Sequence, residues 1–171
     1  EEAYLQAMQY TPADDNERSV LNERLAASVY KQGEQSRSVG DLRGAVGHFT
    51  RVAGVAPGSA IRVTAEYDAA ATLITLKDWN GAVKVLEGFR KAHPNHPLQA
   101  EVTNKLAVAY METGQLTRAA GELEALADTK SDPQVRRAAL WQVAELYEKA
   151  KDTDNASRAY QRYLRDYPRP L

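Results

Sequence analysis

A repeat with a period of 37 residues constrains this chain more than any other feature of its sequence. Alanine recurs at that step, as Ala45, Ala82, Ala119 and Ala156. Large apolar or aromatic residues follow each alanine four and seven residues later: Phe49, Leu86, Leu123 and Tyr160, then Val52, Phe89, Leu126 and Tyr163. Because an α-helix turns once in about 3.6 residues, these three columns share one helical face. Each repeat therefore contains an amphipathic helix.

Another helix precedes that one in every repeat. Small residues stand twelve positions before the alanines, at Gly33, Ala70, Ala107 and Ala144, and would let two helices approach closely. Short polar breaks, "VGD", "LKD", "TGQ" and "AKD", separate the two helices, and Asp41, Asp78 and Asp152 are predicted N-caps. The repeats end at Pro57, Pro94, Ser131 and Pro168, and proline cannot continue a helix. Each repeat is thus predicted to be a helical hairpin.

The pattern predicts an all-α fold with helices near 1–10, 15–38, 41–55, 59–76, 79–92, 97–113, 116–128, 133–150 and 153–167. Pro97 and Pro133 are expected in the first turns of their helices, where a missing amide proton costs little.

The repeats are predicted to form a single solenoid over residues 1–171. Its units are the tail of a preceding repeat, 1–14, and four repeats, 15–58, 59–95, 96–132 and 133–171. From Pro12 to Pro57 the chain is eight residues longer than one period, and we expect a longer leading helix there rather than an enlarged turn. Because the chain starts at Glu1 inside a repeat, we expect a fragment of a longer protein.

These columns resemble the tetratricopeptide repeat, a helix-turn-helix of about 34 residues. Its pattern has small and aromatic residues on the first helix, then an alanine, an aromatic or large apolar residue and a closing proline. The resemblance covers nearly the whole chain and implies a right-handed superhelix, about four repeats plus a partial N-terminal one. One position departs from the family pattern: the usual first-helix tryptophan is replaced by Val29, Glu66, Thr103 and Leu140.

The stretch "GFRKAHPNHP" raises the alternative of a metal site, because His93 and His96 are three residues apart. A stable site would need a third or fourth ligand, and Glu101 is the nearest candidate. Both histidines fall in a predicted turn between repeats, so we expect polar surface residues, no metal and no cofactor. The sequence also contains no phosphate-binding loop with lysine, no HExxH and no serine elbow, and we expect no enzymatic activity.

The amino-acid composition limits the classes of partner that the chain can bind. The chain has 22 Lys and Arg residues and 23 Asp and Glu residues. It therefore lacks the net positive charge that would attract nucleic acid or an anionic membrane. No apolar run is long enough for a membrane span, and no direct membrane insertion is expected. The absence of cysteine is compatible with both cytosol and periplasm. The expected partner is a protein or peptide.

In the family that the chain resembles, first helices line a concave groove. This resemblance implies that the groove residues are Tyr30, Tyr67, Asp68, Ile74, Asn104, Val108, Met111, Trp141 and Glu145. Such an apolar and aromatic strip with acidic margins would bind a partner segment through a few large anchors. The alternative for these side chains is packing in the core.

The implied function is a protein-interaction scaffold within a bacterial multiprotein complex. Its competitor is a structural spacer or oligomerisation segment of an envelope or secretion assembly, with self-association through exposed repeat ends such as Tyr160 and Tyr163. Endings such as "YQRYLRDYP" resemble repeats of bacterial outer-membrane assembly lipoproteins and Tol-Pal-associated proteins, which implies a periplasmic or envelope location, with the cytoplasm as the alternative. The identity of the partner does not follow from these residues.

Overall fold

The computed structural model describes residues 1–10, 15–129 and 132–168. These ranges contain nine α-helices and no strand. The helices are α1 (Glu2–Tyr10), α2 (Asp15–Ser38), α3 (Leu42–Val55), α4 (Ile61–Thr75), α5 (Trp79–Ala92), α6 (Gln99–Glu112), α7 (Leu116–Asp128), α8 (Pro133–Lys149) and α9 (Thr153–Asp166). Every predicted helix is confirmed, with ends within two residues of the prediction. The predicted repeat-end positions Pro12 and Ser131 lie outside the described ranges.

The chain divides into two compact units, residues 1–93 and 94–171. In the first unit, α1 to α5 pack in sequence order, and α2 also contacts α4. In the second unit, α6 to α9 pack in sequence order, each on its neighbour. Consecutive antiparallel hairpins of this kind confirm the predicted helical-repeat fold in each unit.

Most residues of the 37-residue columns lie in the cores of the two units, while Leu126, Tyr160 and Tyr163 are half-buried. The alanine column is at most 6% exposed, and Phe49, Leu86 and Phe89 are at most 1% exposed. The small-residue column is buried as well, and Gly33 shows why it must be small. A Cβ atom placed on Gly33 would lie 2.5 Å from Cε1 of Phe49, well inside van der Waals contact. The close approach of α2 and α3 therefore depends on glycine at this position.

The turn inside each hairpin repeats the same backbone geometry. Positive φ occurs at one position per repeat, at Gly40, Lys77, Gly114 and Lys151. The following amide N–H donates to the carbonyl oxygen five residues earlier, as in Asp78 N to Leu73 O at 2.9 Å, which terminates the helix in a Schellman motif. The predicted caps are confirmed: the side chains of Asp41, Asp78 and Asp152 accept from backbone N–H groups at the start of α3, α5 and α9.

The prediction of Pro97 in the first turn of a helix is wrong. Helix α6 begins at Gln99, and Pro97 lies in the turn before it. Leu98 N–H donates to His96 Nδ1 at 3.2 Å and Gln99 N–H donates to His96 O at 3.0 Å, so the histidine closes a turn that delays the helix. Pro133, by contrast, is the first residue of α8, as predicted.

The first full repeat contains a long leading helix, as predicted, since α2 has 24 residues. Its N-terminal half is anchored to the start of α4 through one carboxylate. Glu23 Oε2 accepts from the hydroxyl of Ser59 at 2.8 Å, and Glu23 Oε1 accepts from the amide of Ala60 at 3.1 Å. This contact lets α2 extend past the hairpin while remaining attached to the next repeat.

Candidate partner-binding surfaces

In the first unit, the structure brings Tyr30 and Asp68 together on the adjacent first helices α2 and α4. The Tyr30 hydroxyl donates to Asp68 Oδ2 at 2.5 Å, and Arg37 Nη1 lies 3.7 Å from the same oxygen. The Tyr30 ring packs on buried Phe49, with centroids 5.2 Å apart. Burial, followed by the bond to Asp68, raises the pKa of Tyr30 to about 12. These two predicted groove residues therefore take part in a contact between repeats.

Two further predicted residues of this unit, Tyr67 and Ile74, lie half-buried on α4. They are seven residues apart, which is about two helical turns, so they project from the same side of the helix. They give the first unit a partly exposed apolar surface.

Glu66 occupies the column where the resembled family has tryptophan, and the structure shows how a carboxylate is accommodated there. Arg62 Nε lies 2.7 Å from Glu66 Oε1, and His93 Nε2 lies 2.8 Å from Glu66 Oε2. The His93 ring also packs edge-on against Phe89, at 4.9 Å between centroids. His93 thus holds the end of α5 against α4.

Metal binding finds no further support. In the described part of the chain, no three side chains of the types that ligate metals form a cluster.

In the second unit, the predicted residues Asn104, Val108 and Met111 lie along one face of α6 and are named here the α6 strip. Asn104 is exposed, and Val108 is 42% exposed. Gln142 Nε2 on α8 contacts Met111 Sδ at 3.7 Å, so the two first helices meet at this end of the strip.

A cleft of about 480 Å³ opens beside the α6 strip, between α6, α7 and α8. Asn104, Leu126, Val135, Ala139 and Gln142 are among the residues that line it. The α8 residues of this wall were not predicted from the sequence. Their spacing of three to four residues, from 135 to 139 to 142, could have indicated a face turned towards α6.

Trp141, also predicted to line the groove, lies in a cluster of aromatic side chains with α9. The aromatic end cluster consists of Trp141, Tyr160, Tyr163 and Tyr167. The indole packs edge-on against Tyr160 and Tyr163, with centroids 5.5 and 5.2 Å apart, and Tyr163 lies 5.6 Å from Tyr167. Trp141 nevertheless remains 44% exposed, and Leu164 beside the cluster is 57% exposed.

Charged groups flank the aromatic end cluster. Arg137 Nε donates to the Tyr163 hydroxyl at 2.8 Å, and its guanidinium lies over the rings of Tyr163 and Tyr167. The Tyr160 hydroxyl donates to Glu148 at 2.7 Å. That bond, with burial and the charges of Glu148 and Glu145, raises the pKa of Tyr160 to about 12. Arg137 was not predicted from the sequence as a candidate binding residue, although it precedes Trp141 by one helical turn.

Comparison with known families and structures agrees with this geometry. Residues 138–169 match the tetratricopeptide repeat family. The match begins within α8 and includes all of α9. No curated protein sequence matches the chain.

Solved structures share the fold over most of the chain. A MamA protein superposes with a TM-score of 0.57 and 20% identity, covering 84% of this chain and 73% of its own. A MamA fragment from Desulfovibrio magneticus RS-1 gives 0.55 and 19%, covering 96% and 90% of the two chains. A putative kinesin light chain from Podosopora anserina with nearly identical TPR-like repeats gives 0.53 and 17%, covering 96% and 82%. At these identities the likeness shows the fold, which is that of tetratricopeptide repeats.

No helix in the described ranges has both the length and the apolar character needed to cross a bilayer.

Proposed function

We propose that this chain is a non-catalytic scaffold for protein–protein interaction, and that the α6 strip and its cleft bind a segment of a partner protein. The observation that carries the proposal is that Val108, 42% exposed, lies one helical turn after Asn104, which lines the cleft. An exposed apolar side chain next to a concave surface is typical of a binding site. Tyr67 and Ile74 on α4 would supply a separate contact surface in the first unit.

The chemistry of the surface defines the segment that fits it. Val108 and Met111 offer apolar contacts, Asn104 and Gln142 offer amide hydrogen bonds, and Glu101 and Glu112 are exposed on the same helix. An apolar segment with basic flanking residues would complement this arrangement. A few anchors worth up to about 2 kcal/mol each, less the entropy lost on binding, suggest an affinity near micromolar.

Site-specific photo-crosslinking tests this assignment. A photoreactive amino acid at Asn104 in the 171-residue chain should crosslink a partner protein, and Val108→Asp should abolish the adduct while the helical circular dichroism is retained. The matched control carries the photoreactive group at Ala125, an exposed residue of the second helix α7. Adducts of the same identity and yield from Asn104 and Ala125 would contradict a binding site on the α6 strip.

A second candidate function is structural. It is favoured by the aromatic end cluster, which leaves Trp141 and Leu164 exposed on the last hairpin. In that case the chain would be a spacer or oligomerisation segment that associates through repeat ends. Crosslinks between copies of the chain, without a partner adduct at Asn104, would favour this function.

We further propose that the protein acts in a bacterial periplasmic or envelope-associated complex, with no nucleic acid among its partners. Support for the location comes from the sequence resemblance of the repeat endings to bacterial envelope proteins. Fusion of the full-length gene to alkaline phosphatase, which is active only after export, provides the test. An inactive fusion that is nevertheless produced at full length would place the complex in the cytoplasm.

A further inference from the structure

Three side chains of α8 stand in line at intervals of four residues: Arg137, Trp141 and Glu145. All three are exposed, and a spacing of four places them on one face of the helix. Trp141 is anchored from below by the rings of Tyr160 and Tyr163, so its orientation is set by packing although 44% of it is exposed. A large, oriented and incompletely covered aromatic residue is typical of an interface anchor.

The same repeat position elsewhere in the chain shows what covers such a residue. Tyr30 lies three periods before Trp141, and its ring packs on Phe49 much as Trp141 packs on Tyr160. A neighbouring helix, α4, lies beside Tyr30 and supplies Asp68 to its hydroxyl at 2.5 Å. A helix laid alongside α8 would cover Trp141 in the same way.

The charges on α8 indicate which helix fits. Arg137 and Glu145 lie four residues on either side of Trp141, about 6 Å along the helix axis in each direction. An antiparallel helix with the same sequence, related by a two-fold axis at Trp141, places Arg137 of each copy opposite Glu145 of the other. A parallel arrangement would instead oppose like charges at both positions, which is unfavourable.

We propose that two copies of this chain associate through this face, with α8 packed antiparallel against α8 of the second copy about a two-fold axis at Trp141. The two indoles meet at the axis, and the two Arg137–Glu145 pairs form on either side of it through the Nη groups of Arg137, since its Nε already donates to the Tyr163 hydroxyl. Leu164, 57% exposed, and Tyr167 add apolar area from α9 at the margin. A self-complementary patch of this kind is what a two-fold dimer requires.

The proposal does not rest on partner binding by the α6 strip. It involves residues of α8 and α9, and the variants below leave Asn104 and Val108 unchanged. Loss of self-association with retained crosslinking at Asn104, or the reverse, would separate the two proposals.

Sedimentation velocity of the 171-residue chain tests the arrangement. The wild-type chain should sediment as a dimer at about 100 μM, a concentration that reveals weak specific association. Because the two-fold axis doubles every change, Arg137→Glu or Glu145→Arg should each raise the dissociation constant about tenfold or more. Lys84→Glu, a matched reversal of an exposed charge on α5, changes no residue of this face and should leave the constant unchanged.

Mixing the two variants distinguishes this geometry from any other. In a homodimer of either variant, residues of like charge face each other on both sides of the axis. A heterodimer of Arg137→Glu with Glu145→Arg has residues of opposite charge at both places. The equimolar mixture should therefore recover association close to that of the wild type. A monomeric wild-type chain at the same concentration would overturn the proposal, and so would a mixture that associates no better than its components.

Discussion

Tyr30 and Trp141 occupy the same position of the repeat, three periods apart, yet their surroundings differ. Tyr30 is half-buried beside α4, and its hydroxyl donates a hydrogen bond to Asp68. Trp141 packs on Tyr160 and Tyr163 of its own hairpin and is 44% exposed. In both hairpins the ring packs on the second helix, while a neighbouring helix decides how much of the aromatic side chain stays exposed.

The largest effect should come from breaking the packing beneath each aromatic residue. Phe49→Ala removes a fully buried ring that supports Tyr30, and should lower the free energy of unfolding by about 3–5 kcal/mol. Tyr160→Ala at the matching position beneath Trp141 should cost only about 1 kcal/mol, because Tyr160 is half-buried and loses less apolar burial.

Chemical denaturation of the two variants measures this difference. Equal losses would mean that the packing beneath Trp141 contributes as much as the covered core beneath Tyr30, and would contradict the comparison.

A smaller change in stability should come from the small-residue column, where the two helices of a hairpin approach each other. Gly33→Ala should destabilise the chain by about 1–3 kcal/mol, because the added methyl would meet the Phe49 ring and the overpacking outweighs the better helix propensity of alanine. Ala144 is the matching residue in the last hairpin. Ala144→Gly should also destabilise, by about 1 kcal/mol, through lost helix propensity. A stabilised Gly33→Ala variant in thermal or chemical unfolding would show that α2 and α3 can move apart.

The hydroxyl of Tyr30 provides a third test. Tyr30→Phe should cost about 1–2 kcal/mol, since it removes a hydrogen bond to a carboxylate, whereas Trp141→Phe should change stability by less. Denaturant unfolding of both variants at neutral pH measures the difference. An unchanged free energy of unfolding in Tyr30→Phe would mean that the contact with Asp68 adds nothing to the interface between repeats.

The same hydroxyl should make stability depend on alkaline pH. The pKa of Tyr30 is about 12 in the folded chain, above the value of about 10 for an unfolded tyrosine. This contribution is therefore complete below pH 10 and is lost as the pH rises towards 12. The pKa of Tyr160, also about 12, is raised first by its bond to exposed Glu148, and the part due to the charges of Glu148 and Glu145 should fall more in high salt than the shift of half-buried Tyr30.

Spectrophotometric titration with Tyr30→Phe and Tyr160→Phe assigns the two groups. Equal salt sensitivity of the two tyrosines would contradict the greater shielding of Tyr30.

The smallest changes in stability should be equal in different repeats, because they arise from the turn inside each hairpin. Lys77 and Lys151 adopt φ angles of 56° and 59°, where other repeats have glycine. Lys77→Gly and Lys151→Gly should each relieve backbone strain and raise stability by about 0.5–1 kcal/mol. Thermal unfolding of the two variants provides the comparison. If one variant is stabilised and the other destabilised, the conformation of the turn depends on contacts with neighbouring repeats.

Helices, caps and core columns could be predicted from the sequence because they depend on local spacing. The helical period places Ala45, Phe49 and Val52 on one face, and Asp78 caps the helix that follows it. Pro97 was misplaced because a contact between His96 and the backbone of Leu98 delays the helix start, and no periodic signal reports such a contact.

The candidate surfaces were predictable only in part. The sequence places Asn104 and Val108 on one face of a first helix, whereas their exposure and the contact between Gln142 and Met111 depend on how neighbouring helices pack. Glu66 was an unexplained departure from the family pattern until the structure showed Arg62 and His93 beside it.

The sequence by itself determined that the chain folds into helical hairpins with a 37-residue period, because helix formation and capping are governed by neighbours along the chain. Only the tertiary structure decided that Tyr30 is tied to Asp68 while Trp141 stays half exposed above Tyr160 and Tyr163. The physical reason is that burial depends on which helix packs alongside, and residues at identical repeat positions can differ in that one respect.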